Sequence, residues 1–265
     1  MKKAILFSGL LTVTISVYAD VGSHWGYSGD VGPKNWAALS ADNFACSGKN
    51  QSPINLTGFI EADLEPIKFD YLQGANEIIN NGHTIQLNYT KGSSIEVDKQ
   101  IFNLLQVHFH APSENHINGQ SYPLEAHFVH ANEGGDLAVV AVMYQKGIPN
   151  QGLKVELDKT HRKTIRSDAS PNKTLKQIWS VMPTKSGEKY ELTEMINLKA
   201  ILPKNTDHYR FNGSLTTPPC SEGVRWLVMK DAVTVSTKQI DGFSNVLHES
   251  NNRPLQAINS RFVLE

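Results

Sequence analysis

Two short stretches concentrate the residues able to do chemistry. Gln106-Val107-His108-Phe109-His110 and Glu125-Ala126-His127-Phe128-Val129-His130 carry four of the chain's ten histidines. In a β-strand alternate side chains share a face, so the first stretch puts Gln106, His108 and His110 on one side and Val107 and Phe109 on the other. In the second, Glu125, His127 and Val129 share a side and His130 points away. If the two strands are neighbours, His108, His110 and His127 converge. Three neutral imidazoles that leave a fourth position open form a catalytic zinc site. Each ligand then needs a partner on its second ring nitrogen, and Gln106 and Glu125 lie on the right faces to serve. His-x-His with a distant third histidine also occurs in cupin-type barrels, often with a Glu downstream, and Glu114 stands four residues after His110. The glycines that frame a cupin motif are missing, and no second matching half follows. A histidine-rich sheet face without metal is the plain alternative.

The elements around these stretches are mostly strands. Ile85-Gln86-Leu87-Asn88-Tyr89 and Ser94-Ile95-Glu96-Val97 alternate, Asn103 to His110 and Glu125 to Ala131 are longer, and Leu137 to Tyr144 is nearly continuous apolar. A run apolar on both faces belongs in the middle of a sheet. Helical patterns are few. Leu175, Ile178, Trp179 and Met182 mark one amphipathic helix after Pro171. Ser236 with Gln239 fits a capping box, and Val235 with Ile240 a hydrophobic staple, for a second helix through Phe243 and Leu247. The pattern predicts a mainly β (α+β) single domain: a large, twisted, mostly antiparallel central sheet with a few short peripheral helices.

Composition sets the outer limits. The chain has 265 residues, 40% of them hydrophobic, with 25 basic and 26 acidic side chains. That excludes a disordered tail, a collagen-like repeat and a disulfide-dense mini-protein. A chain of this size has its own core and needs no metal merely to fold. Near-neutral charge argues against nucleic acid as a partner.

Residues 1–19, MKKAILFSGLLTVTISVYA, read as a secretory signal peptide: Lys2 and Lys3, an apolar run, then a small-x-small cleavage pattern ending at Ala19. The run is too short and too interrupted for a confident membrane span, and nothing in residues 20–265 could cross a bilayer. Its removal leaves 23 basic against 26 acidic residues, net −3. An exported protein meets an oxidising compartment, which favours pairing Cys46 with Cys220, the only two cysteines. Two separate buried thiols are the alternative.

Seven motifs in order along the chain resemble the α-class carbonic anhydrases. They are His24-Trp25-Gly26-Tyr27, Gln51-Ser52-Pro53-Ile54-Asn55-Leu56, Asn80-Asn81-Gly82-His83, the two histidine strands, Gly213-Ser214-Leu215-Thr216-Thr217-Pro218-Pro219-Cys220, and Asn252-Arg253-Pro254. Ala111-Pro112-Ser113-Glu114-Asn115 and the two cysteines resemble the secreted bacterial branch. The resemblance implies one zinc ion per chain on His108, His110 and His127, and reversible hydration of carbon dioxide to bicarbonate and a proton. Zinc on three neutral histidines lowers the pKa of bound water from about 16 to about 7, a value established for carbonic anhydrase itself. The resulting hydroxide is the nucleophile.

The same resemblance distributes further roles. Thr216 matches the residue that accepts a hydrogen bond from the hydroxide, and Glu114, as an ionised acceptor, takes the Thr216 proton. Asn251 joins Gln106 and Glu125 as an outer partner of the ligands. Val129, Val139, Leu215, Thr217, Val224 and Trp226 match the carbon dioxide pocket. His83 matches the proton shuttle, for which an imidazole pKa of about 6.5 is suited, and Tyr27 and Asn81 match the holders of its relay waters. A turn histidine after Asn-Gly is the structural alternative for His83. Sulfonamides and anions are implied as inhibitors, a homodimer is common among such relatives, and the expected location is the bacterial periplasm or outside the cell. Two rivals stand beside this reading: a non-catalytic binding module on the same fold, and an iron or manganese enzyme on a cupin-like barrel.

Overall fold

The computed structural model describes residues 24–72, 74–147, 171–193 and 196–265. The expected signal peptide, residues 1–19, lies outside them. Thirteen strands and three α-helices form within the described residues. The strands are β1 (Asn55–Leu56), β2 (Lys68–Asp70), β3 (Ala75–Asn80), β4 (Ile85–Tyr89), β5 (Ser94–Val97), β6 (Gln100–His110) and β7 (His116–Ile117). They continue with β8 (Leu124–Ala131), β9 (Leu137–Lys146), β10 (Lys189–Glu191), β11 (His208–Ser214), β12 (Glu222–Met229) and β13 (Val233–Val235). The helices are α1 (Trp36–Leu39), α2 (Lys173–Ser180) and α3 (Thr237–Leu247).

Eleven strands make one sheet, with its main path β10-β3-β4-β6-β8-β9-β12-β11. The eleven-residue β6 is long enough to pair β5 along its first half and β4 along its second. Most joins are antiparallel, as expected. The exceptions within this sheet gather at β9, which takes β12 and β13 in parallel. Residues 138–144 of β9 are all buried, which is why that run reads as continuously apolar: it has strands on both edges and packing on both faces.

The two faces support different cores. Val107 and Phe109 of β6, Ala126 and Phe128 of β8, and Val140 and Val142 of β9 join a large cluster roofed by α2 and α3. A side chain such as Phe109 or Phe128 contributes roughly 1.5–3 kcal/mol on full burial. Val129, Val139, Val224 and Trp226 belong to a second cluster on the opposite face. The helices follow their sequence signals. Ser236 and Gln239 form a reciprocal capping box at the start of α3, and Val235 and Ile240 are both buried. Helix α2 ends at Ser180, short of Met182, which packs against the same core from just beyond the cap. Trp179 of α2 lies 4.8 Å from the Phe109 ring, so both helices brace the back of the histidine strand.

Strict alternation fails once in the pair of strands that carries the histidines. The β6–β8 register steps from Leu104↔His130 to Gln106↔Val129, leaving Leu105 unpaired and largely exposed. This bulge resets the parity of β6. Phe102 and Leu104 thereby share the core face with Val107 and Phe109, while Gln106, His108 and His110 keep the other.

Candidate metal centre

Strands β6 and β8 are antiparallel neighbours, with His108 opposite His127 and His110 opposite Glu125. That register brings the three imidazoles together, with ring centroids 4.6–5.1 Å apart. One nitrogen from each lies within 4.8 Å of the others, and among the described residues this is the one group suited to a metal. The other nitrogen of each ring is engaged. His108 Nδ1 donates to Gln106 Oε1 at 2.8 Å, His110 Nδ1 to the Asn251 carbonyl at 2.7 Å, and His127 Nε2 to Glu125 Oε1 at 2.9 Å. Each partner is an acceptor, so each fixes one tautomer and leaves the inward nitrogen bare. Burial lowers the pKa of all three rings, and neighbouring histidines lower His108 and His127 further. They are neutral, the form a metal takes.

Glu114 sharpens the argument. Its Oε2 lies 3.4 Å from His110 Nε2 and 3.9 Å from His127 Nδ1, and neither Oε2 nor His110 Nε2 has a hydrogen-bond partner. Bare lone pairs facing one another in a buried site repel unless a cation or proton stands between them. This donor set, neutral imidazoles with a nearby carboxylate, fits zinc. Burial pushes the Glu114 carboxyl well up, while hydrogen bonding from the Arg253 N–H, at 2.8 Å to Oε1, and from the Thr216 side chain pulls it down. The Thr216 hydroxyl thus faces Glu114, although it makes no well-aligned hydrogen bond to Oε2.

The loop bearing Thr216 is tied down at several points. Ser52 and Ser214 exchange backbone-to-hydroxyl hydrogen bonds at 2.9 and 3.1 Å, and Trp226 Nε1 donates to the Ser214 carbonyl at 3.0 Å. A Cβ at Gly213 would overlap Ser52 Oγ and crowd Phe211 and Trp226, so only glycine fits there. Cys46 and Cys220 form a disulfide across 174 residues, as their pairing in the sequence suggested.

Val129, Val139, Val224 and Trp226 are buried together, Leu215 packs against them half-buried, and Thr217 is half-buried beside Thr216. The Trp226 ring meets the His127 ring edge-on at 4.9 Å, which sets this apolar wall directly against the metal group. His83 is half-buried on the turn after β3. Its ring stacks on Trp25 at 3.6 Å and lies 6.5 Å from Tyr27, and burial lowers its pKa. Asn81 Oδ1 accepts the His83 and Thr84 N–H groups, so this side chain also shapes the turn. His130 lies on the far face of β8, as alternation requires.

Three neighbours had no role in the sequence reading. Trp25 supplies the surface on which His83 rests. Arg253, fully buried, donates to Gln51 Oε1, Ser52 O and Cys46 O. Asn115 contacts Glu125 twice. Each lies inside a quoted motif, but its partners lie outside that motif.

The family model for eukaryotic-type carbonic anhydrase matches residues 31–265. The chain belongs to the α-carbonic anhydrase family. It is 41% identical to a carbonic anhydrase of Pectobacterium carotovorum over the whole of both chains, and 42% identical to one of Neisseria gonorrhoeae over 92% of this chain and 88% of that one. Among solved structures, the α-carbonic anhydrase of Thermovibrio ammonificans, in complex with the inhibitor sulfanilamide, superposes with a TM-score of 0.82. The two are 42% identical, covering 92% of this chain and all of that one. Carbonic anhydrases are lyases, and family and fold together support hydration of carbon dioxide. Members of this family are zinc enzymes, and the three-histidine group is where a metal could sit. No helix among the described residues is long and apolar enough to cross a membrane.

Proposed function

We propose that this carbonic anhydrase works with one zinc ion held by His108 Nε2, His110 Nε2 and His127 Nδ1, converting carbon dioxide and water to bicarbonate and a proton. The observation that carries this reading is three bare nitrogens on neutral rings, aimed at one point beside Glu114 and an apolar wall. Zinc, when bound, supplies the Lewis acidity that makes water nucleophilic at neutral pH. Gln106, the Asn251 carbonyl and Glu125 hold the ring tautomers. Thr216 accepts a hydrogen bond from the reacting oxygen and donates its own proton to ionised Glu114, which aims a lone pair at the substrate. Burial alone favours the protonated acid at Glu114; a cation on the three histidines works in the opposite direction.

Carbon dioxide carries no charge and no donor, so Val129, Val139, Leu215, Val224 and Trp226 can hold it only by contact and by excluding water, with Thr217 at the polar edge. His83, neutral at pH 7 because burial lowers its pKa, accepts the released proton at the mouth. Tyr27 and Asn81 order the path to it. Anions and sulfonamides inhibit by competing for the open metal position. Residues 1–19 direct export and are removed, which suits a protein whose two cysteines are bridged; the mature enzyme works in the periplasm or outside the cell, with a homodimer as the expected assembly.

The test is metal analysis of purified native protein, with hydration assayed before chelation, after chelation and after zinc is returned. One zinc per chain and reversible loss of activity are expected. Stoichiometric iron or manganese, or activity indifferent to chelation, would overturn the reading.

A further inference from the structure

The ligand His127 is oriented by Glu125, so what orients Glu125 matters as much. Glu125 is fully buried, and four donors converge on its carboxyl. Oε1 accepts from His127 Nε2 at 2.9 Å and from Asn115 Nδ2 at 2.8 Å. Oε2 accepts from the backbone N–H of Glu114 at 2.7 Å and of Asn115 at 2.9 Å. Asn115 therefore supplies two of the four, one from its side chain. It is fully buried itself and has no freedom to turn its amide over. Its Oδ1 accepts from the Ile54 N–H at 3.2 Å, and only the oxygen end can do so. The Nδ2 end must then face Glu125. Ser113 Oγ completes the fix by donating to the Asn115 carbonyl at 2.9 Å.

We infer that Asn115 is a positioning residue for the metal centre, its amide clamping Glu125 Oε1 so that His127 keeps its proton on Nε2 and presents Nδ1 inward. The chain of dependence runs Ile54 N–H, Asn115, Glu125, His127. Without the Nδ2 contact Glu125 keeps its backbone donors on Oε2 but loses the brace on the oxygen that holds His127. The same asparagine follows Glu114, so its backbone anchors that carboxylate's segment as well. The inference rests on the proposal that His127 is a zinc ligand.

The experiment measures zinc release from the full-length protein into a chromogenic chelator at neutral pH, for wild type, Asn115→Ala, Glu125→Ala and the double variant. Loss of an outer partner typically weakens metal affinity by about 10–100-fold, and Asn115→Ala should accelerate release by an amount of that order. Because Asn115 acts through Glu125, the same change in the Glu125→Ala background should add less than about twofold. A second readout is the gap in melting temperature between zinc-loaded and zinc-free protein. A positioning role narrows that gap, whereas a purely structural role lowers both forms equally. Should the alanine variant not fold, Asn115→Ser is too short for the Nδ2 contact and serves in its place. Release unchanged by Asn115→Ala, or accelerated equally in both backgrounds, would overturn the inference while leaving the zinc site standing. Wild type that carries no zinc, or His127→Ala that releases it as slowly as wild type, would sink the ligand assignment and this inference together.

Discussion

His130 makes the protein acid-sensitive by an amount that can be worked out. The ring is fully buried on the back face of β8, where Tyr71 Oη lies 2.9 Å from Nε2 and the Ala138 carbonyl 3.3 Å from Nδ1. A carbonyl only accepts, so Nδ1 carries the proton, and Tyr71 donates to bare Nε2. Burial pushes the pKa of this ring down to about 3, from an ordinary 6.5. The unfolded chain therefore binds a proton between those values that the native one refuses, and stability falls as pH falls. The contribution is fully present above pH 6.5 and is lost progressively down to about pH 3. Each pH unit in that window is worth about 1.4 kcal/mol. Roughly 2 kcal/mol is gone by pH 5 and roughly 4 kcal/mol by pH 3, in a protein whose whole stability is of order 10 kcal/mol. His130→Gln removes the titration while its amide can still accept and donate. Urea unfolding of zinc-free wild type and variant should show the gap between them shifting by about 2 kcal/mol in favour of the variant between pH 7.5 and pH 5. The three site histidines titrate in both proteins and cancel. Parallel stability curves would refute the reasoning.

Other perturbations separate the parts of the site. His127→Ala, His108→Ala or His110→Ala should abolish zinc retention and nearly all hydration, whereas His130→Ala should keep its zinc; metal analysis of the purified variants decides. Reducing Cys46–Cys220 opens a loop of 174 residues, a loss of about 5 kcal/mol on the chain-entropy model, which should lower the melting temperature by roughly 10–20 °C. Free thiols in exported, oxidised protein, or a drop of under a few degrees, would count against it. His83→Ala should lower kcat in dilute buffer, leave kcat/KM nearly unchanged, and recover with added imidazole, because only proton export passes through that ring. Thr216→Ala should instead lower kcat/KM by about a hundredfold, with no rescue by buffer.

What could be read from sequence follows the range of the interactions. The convergence of His108, His110 and His127 needs only period-two alternation and adjacent strands, and both are local or nearly so. The capping box of α3 spans four residues and was equally legible. The bulge at Leu105 was not. One unpaired residue in an otherwise alternating strand leaves no compositional mark, because Leu is as acceptable on the exposed bulge as in the core beside it. The parallel joins of β9 were hidden for a different reason: a doubly buried strand is apolar whichever way its neighbours run. Arg253 was unassigned because its partners lie far along the chain, reaching back 207 residues to Cys46, and Asn115 because its amide meets Glu125 only once the segment between them folds back. Trp25 beside His83 is the same case, a contact between two motifs that each look complete alone.

The two histidines of β8 show how a ligand differs from a core residue when both are buried and both have depressed pKa values. Burial does not separate them: His127 and His130 are equally enclosed. Nor does having an acceptor for one ring nitrogen, since each does. The difference is in the second nitrogen. Around His130 the fold provides an acceptor for one nitrogen and a hydroxyl donor for the other, so the ring is saturated and has nothing left to bind. Around His127, as around His110, the fold provides an acceptor at the back and places a carboxylate oxygen, another acceptor, beyond the front. An arrangement of acceptors on both sides of a neutral ring is costly in a dry interior, and two such rings facing the same Glu114 oxygen, with the bare nitrogen of His108 beside them, compound the cost. That cost is recovered only when a cation joins them, which is why the unsatisfied nitrogen, rather than the histidine itself, identifies the metal centre.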